Sequence, residues 1–191
     1  MEASGDMTNL SGKLLVAMPG MGDTRFEKSV VFLCAHSDAG SMGLIVNKPS
    51  VEMKFDELLK QLSINIVPGI VVPDVHFGGP VEIGRGFVLH SSEYGTKETT
   101  MQIDDCFAMT ATLDVLEDLA QGQGPERVLL ALGYAGWGPG QLEAEIGQNG
   151  WLTCDASPEV VFAKSNRSKW EAALKTLGVD PLLLSATAGR A

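Results

Sequence analysis

Residues 30–36, VVFLCAH, carry apolar side chains at successive positions until the closing histidine. A strand with one wet face alternates in polarity. One that does not belongs inside a sheet covered on both sides. Working outward, Leu14 to Met18 reads as a preceding strand, ended by Pro19, Gly20 and Gly22, and Thr24-Arg25-Phe26-Glu27 has capping-box spacing for a short helix. On the other side Asp38-Ala39-Gly40 turns the chain into a third strand, Met42 to Val46, which Asn47-Lys48-Pro49 closes.

Further along, Phe55, Leu58, Leu59 and Leu62 fall at i, i+3, i+4 and i+7, the stripe of an amphipathic helix. Leu113, Leu116, Leu119 and Ala120 repeat that spacing before Gly122 and Gly124-Pro125. So do Trp170, Ala173, Leu174 and Leu177, with Gly178 as a C′ stop. Gln141 to Ile146 predicts a short helix, and Ser157-Pro158-Glu159 a helix start. Strands are expected at Ile70–Val72, at Gly86–His90 after the Gly78-Gly79-Pro80 turn, at an edge from Thr99 to Ile103, and centrally from Arg127 to Tyr134. Connections of hairpin length and connections holding helices both occur, which points to an α+β (mixed α/β) domain. Residues 1–10 read as a flexible tail and residues 11–191 as a single domain.

Composition excludes several functions. The 191 residues hold 14 basic and 24 acidic side chains, a net charge of −10, so the mean surface field repels phosphate backbones and anionic lipid. Direct nucleic-acid binding is disfavoured. The densest positive stretch, Lys164 to Lys169, reads as a solvated helix entrance rather than a recognition helix. No stretch of 18 apolar residues exists to span a membrane. The start of the chain carries Glu2 and Asp6 instead of a basic export signal, and Cys34, Cys106 and Cys154 form no dense framework, so reduced thiols in a cytoplasmic protein are expected.

The dinucleotide fingerprint, the phosphate loop, H-E-x-x-H and G-x-S-x-G are all absent from the sequence. Gly20-Met21-Gly22 reads as a turn. Cys34 and His36, at i and i+2, are expected to share a strand face, yet no metal site is assigned because closer ligand pairs are the rule for soft metals. His36 and His90 end apolar strands, where open sheets expose their sites. The richest stretch is GYAGWGPGQLEAEI, 133–146, whose glycines leave room around Trp137. It suggests a concave rim with the indole as a flat wall, and Gln141, Glu143 and Glu145 as polar contacts.

At these residues the chain resembles the YqgE/AlgH family of bacterial proteins, through LSGKLLVAMPGMGDTRFEKSVVFLCAH (10–36), GLIVNKP (43–49), HFGGPV (76–81), GRGFVLH (84–90) and GYAGWGPGQLEAEIGQNGWL (133–152). The resemblance implies a strongly bent mixed sheet forming a partial barrel with helices packed outside. One branch of the family carries a transcriptional-regulator label. No activity and no cofactor come with it, so no catalytic residue is carried over. The positions matching its motifs, His36, Asn47, Gly78, Gly79, Pro80, His90, Trp137, Gln141 and Glu145, are the candidate site.

Two functions compete. One is a non-catalytic module that binds a small molecule or protein partner and acts on transcription indirectly. The other is a hydrolase or isomerase in which His36 or His90 works with Glu143 or Glu145, which requires hydrogen-bond contact across a pocket. The sequence leaves the ligand, the partner and the oligomeric state open.

Overall fold

The computed structural model describes residues 9–19 and 24–184. The tail up to residue 8 and the Gly20–Gly22 turn lie outside the described residues. Nine strands form one sheet: Lys13–Ala17 (β1), Val30–Ser37 (β2), Gly40–Ile45 (β3), Val75–Phe77 (β4), Val81–Ser91 (β5), Thr100–Gln102 (β6), Phe107–Thr110 (β7), Val128–Trp137 (β8) and Trp151–Asp155 (β9). Four α-helices accompany it: Phe55–Gln61 (α1), Leu113–Ala120 (α2), Gln141–Gly147 (α3) and Asn166–Thr176 (α4). The strand order is β6-β7-β5-β8-β3-β2-β1-β9, antiparallel throughout, with β4 added parallel beside β8.

As VVFLCAH predicts, β2 is interior, paired with β1 and β3. The sheet is curled into a half-barrel. Phe32 on β2 lies 4.7 Å, ring to ring, from Phe107 on β7, although β5, β8 and β3 intervene. In a flat sheet four strand spacings would separate them by about 19 Å. The concave interior is filled by alternate residues of seven strands and closed at one side by α4, whose Trp170 indole donates to Ala17 O at 2.9 Å. The convex surface carries two further clusters. One packs α3 through Leu142 against Trp137 and Trp151; the other packs α1 and α2 through Phe55, Leu59, Val115 and Leu119 against β4, β5 and β8.

Several expectations are corrected. Ile70–Val72 is a loop, not a strand, with Val71 94 % exposed. Pro68 and Pro73 bracket it, and the chain joins the sheet only at β4, two residues after Pro73. β7 and β9 were not expected; both are short, and β9 opens on Trp151 directly after Gly150. Glu159–Ala163 forms a π-helical turn where a helix start is expected. Cys34 and His36 do not share a face. A bulge between Leu33 and Ala35 adds one residue to β2, so Cys34 stays in the concave core while His36 turns to the convex side and bonds α3.

Candidate functional site

The same bulge shapes the main cavity. Beyond it Ala35 points inward, opposite Met42 on β3, and Met42 faces Gly136 on β8. These three residues form the floor of a wide groove of about 690 Å³ at the end of the half-barrel, with Phe87, Met109 and Tyr134 as its walls. The Phe87 and Tyr134 rings meet edge-on at 5.7 Å, and the Arg85 guanidinium lies over Phe87, 5.1 Å from its centroid. A side chain at Gly136 would rise into free space, its Cβ no closer than 3.5 Å to Tyr134. The groove is thus mainly apolar, adaptable through two methionines, with Arg85 at its rim beside Glu82, 3.5 Å away.

The expectation that the Trp137 indole is a flat wall of this hollow is corrected. Trp137 borders the groove but is 6 % exposed, and its ring packs edge-on against Trp151 at 6.0 Å on the convex side. Its partner across the strands is Ser41, itself opposite His36, so strand alternation sends all three side chains away from the groove.

The other candidate residues are held by the fold. His36 Nδ1 accepts the Leu10 N–H at 3.1 Å, which leaves the ring proton on Nε2 to be donated to Glu143 Oε1 at 2.6 Å. That hydrogen bond holds the Glu143 carboxyl below its usual range. Asn47 accepts the Val30 N–H and donates to Lys28 O, fixing Lys28 at φ 52°. Gly78 and Gly79 let the chain before β5 cross β8: a Cβ at Gly79 would fall 2.1 Å from Tyr134 C, and one at Gly78 2.3 Å from Gly133 O. Pro80 follows them immediately before β5. Gln141 Oε1 accepts the Gly138 N–H at 3.0 Å. Glu145 Oε1 accepts from the Trp151 indole at 3.4 Å, and its buried Oε2 has no partner among the described residues.

His90 is fully buried. Its Nδ1 donates to Ser91 O at 2.8 Å, and its Nε2 accepts from Thr110, which in turn meets Thr100, both at 2.8 Å. Burial lowers its pKa and keeps it neutral. Of the glutamates proposed as partners, the structure therefore brings Glu143 to His36, and neither to His90.

A polar cleft was missed by the sequence reading. About 280 Å³ in volume, it lies between β4 and the start of α4, lined by Asp74, His76, Lys164, Ser165, Asn166 and Lys169. Lys169 is 3 % exposed, which corrects the reading of residues 164–169 as a solvated stretch. The helical phase carried the signal: Lys169 lies four residues before Ala173, on the border of the apolar stripe. Burial pushes its pKa down to about 8, and Nζ donates to Val46 O at 2.7 Å. His76 lies between Leu130 O and Asn166 Oδ1, and burial, then the Lys169 charge, lowers its pKa. Among the described residues no three His, Cys, Asp or Glu side chains converge as a metal centre.

Comparison with known proteins agrees with the fold. The UPF0301 protein of Ruegeria pomeroyi is 59 % identical over 184 residues, covering 96 % of this chain and all of its relative, and that of a Jannaschia species is 57 % identical over 188 residues, covering 97 % and 98 %. The solution structure of the Pseudomonas aeruginosa AlgH protein matches with a TM-score of 0.76 at 41 % identity, over 96 % of each chain. Protein DIP2367 of Corynebacterium diphtheriae, at 22 % identity and a TM-score of 0.69 over 87 % and 86 % of the two chains, shares the fold. A family model described as AlgH-like matches residues 14–182, and the chain belongs to that family.

Proposed function

We propose that this protein is a cytoplasmic binding module whose groove at the end of the half-barrel takes a small molecule with an apolar body and an anionic end. The observation that carries the reading is the groove itself: Ala35 and Gly136 leave space above a floor they share with Met42; Phe87, Met109 and Tyr134 supply apolar walls; and Arg85 at the rim meets Glu82 through one nitrogen at 3.5 Å and has further N–H donors to offer an anion. Its volume suits a ligand of metabolite size. Any effect on transcription is then indirect, exerted through occupancy of the groove, since a net charge of −10 opposes contact with DNA.

Decanoate is a suitable probe, having a flexible apolar tail and one carboxylate. A ligand that binds the native state raises its apparent melting temperature by mass action. Saturable stabilisation by decanoate, lost in Gly136→Val, supports the reading. Equal responses of wild type and Gly136→Val, to decanoate and to a metabolite panel, overturn it; a protein retained by wild type and released by Gly136→Val would replace the small ligand with a docked partner.

The hydrolase or isomerase reading has one observation in its favour, the 2.6 Å contact of His36 with Glu143. It ranks second. Both ring nitrogens are already engaged, and neither residue lines the groove or the polar cleft.

A further inference from the structure

The polar cleft beside α4 is separate from the groove, and its chemistry is different. Lys169 is a nearly fully buried ammonium with three N–H donors, of which one reaches an acceptor among the described residues, Val46 O. Leaving a buried donor without a partner is costly, and a charged one more so. The cleft opens onto this group. Lys164 adds a second positive charge, and the cleft meets α4 at its first turn, where the Ser165 side chain makes no capping hydrogen bond to the helix backbone. Helix N-termini favour anions. His76 Nε2 engages Asn166 Oδ1 at 3.1 Å, which leaves the Asn166 amide nitrogen as a further donor.

Asp74 is the exception on this cationic wall, and it narrows the ligand class. A fully deprotonated anion would meet its carboxylate without a proton between them. An anion that keeps an O–H can donate to Asp74 while its other oxygens take the two lysines. We propose that the cleft binds a small oxyanion bearing an O–H group, hydrogen phosphate or a hydroxycarboxylate, with Lys169 and Lys164 holding the charge and Asp74 accepting the O–H.

The test is an NMR titration of the full chain, following the His76 imidazole and the Lys169 Cε signals, in two paired arms at matched ionic strength. Inorganic phosphate is compared with sulfate, and glycolate with acetate; within each pair only the first carries an O–H at neutral pH. The expected result is a saturable shift at both residues, with the O–H-bearing member of a pair binding about tenfold more tightly, as one charge-assisted hydrogen bond allows. The responding pair tells phosphate from carboxylate. Asp74→Asn should bring that preference close to parity, and Lys169→Met should abolish the shift at His76. Equal binding of both members of each pair, no saturable shift in either arm, or unchanged preference in Asp74→Asn each overturns the proposal. The wild-type and Asp74→Asn titrations decide it even where Lys169→Met does not fold.

Discussion

His36 and Glu143 are joined at 2.6 Å although they lie 107 positions apart in the sequence, and the bond ties the end of β2 to the first turn of α3. The histidine side chain is 4 % exposed and the glutamate 33 %. Because Nδ1 is occupied by the Leu10 amide, the contact fixes the tautomer as well as the ring. Glu143→Ala leaves a buried N–H unpaired and should cost about 1–3 kcal/mol, whereas Glu143→Gln retains an acceptor and should cost less. Urea unfolding at pH 7 measures both.

The same bond has a pH signature. Glu143 has a folded pKa below its unfolded one, owing chiefly to the His36 hydrogen bond. Its contribution is therefore complete above the ordinary carboxylate range and is lost as pH falls through the depressed folded value. Wild type should lose more stability between pH 6 and pH 3, roughly the span of carboxyl titration, than Glu143→Gln does.

A glycine at the crossing and one in the groove floor should behave oppositely. Gly79→Ala drives a Cβ to 2.1 Å from the Tyr134 backbone and should destabilise by about 3 kcal/mol or prevent folding. Gly136→Ala meets nothing closer than 3.5 Å and should stay within about 1 kcal/mol of wild type. Thermal melts of the two variants side by side make the comparison.

His90 depends on Thr110 for the hydrogen bond to Nε2. Thr110→Val should cost about 1–3 kcal/mol, and Thr110→Ser should recover most of it. Because burial depresses the folded pKa of His90, stability is full above the unfolded pKa, near 6.5, and declines as pH falls from there toward the folded value. Denaturant midpoints between pH 7 and pH 5 should show that decline.

Cys34 and Cys154 are buried, their thiols pushed up by burial to about 12 and about 11, while Cys106 is exposed. Ellman's reagent should titrate Cys106 promptly in native protein and the other two only after unfolding. Prompt reaction of a second thiol would contradict the packing around Cys34 or Cys154.

Periodicity made much of this fold readable. The helical stripes at Phe55, Leu113 and Trp170 and the unbroken apolar run of β2 each specify an element together with the face it buries. What periodicity does not encode is where alternation breaks. The bulge at Cys34 reverses the facing of Ala35 and His36, and on β8 the left-handed Gly133, at φ 75°, breaks the alternation between Leu132 and Tyr134 and so sends Trp137 to the convex side. Of the glycines in 133–146, Gly136 does leave space, but on the face away from the indole, while Gly133 serves a close crossing, its Cβ position 2.4 Å from Gly79 O. Val71 failed as a strand residue because apolar character alone does not supply a pairing partner. Lys169 was hidden by its charge: a lysine reads as solvated until tertiary packing encloses it.

Because β2 carries one more residue than the strand it pairs with, a single length of backbone serves two interiors in succession, first lining one chamber and then bracing the opposite wall. Were the same sequence to pair evenly, with Cys34 taking the place opposite Met42, every side chain beyond it would exchange roles, delivering an imidazole into the empty trough and a methyl group to the carboxylate of α3. The vessel and its buttress are therefore set by the same inserted amino acid, and neither can drift without the other.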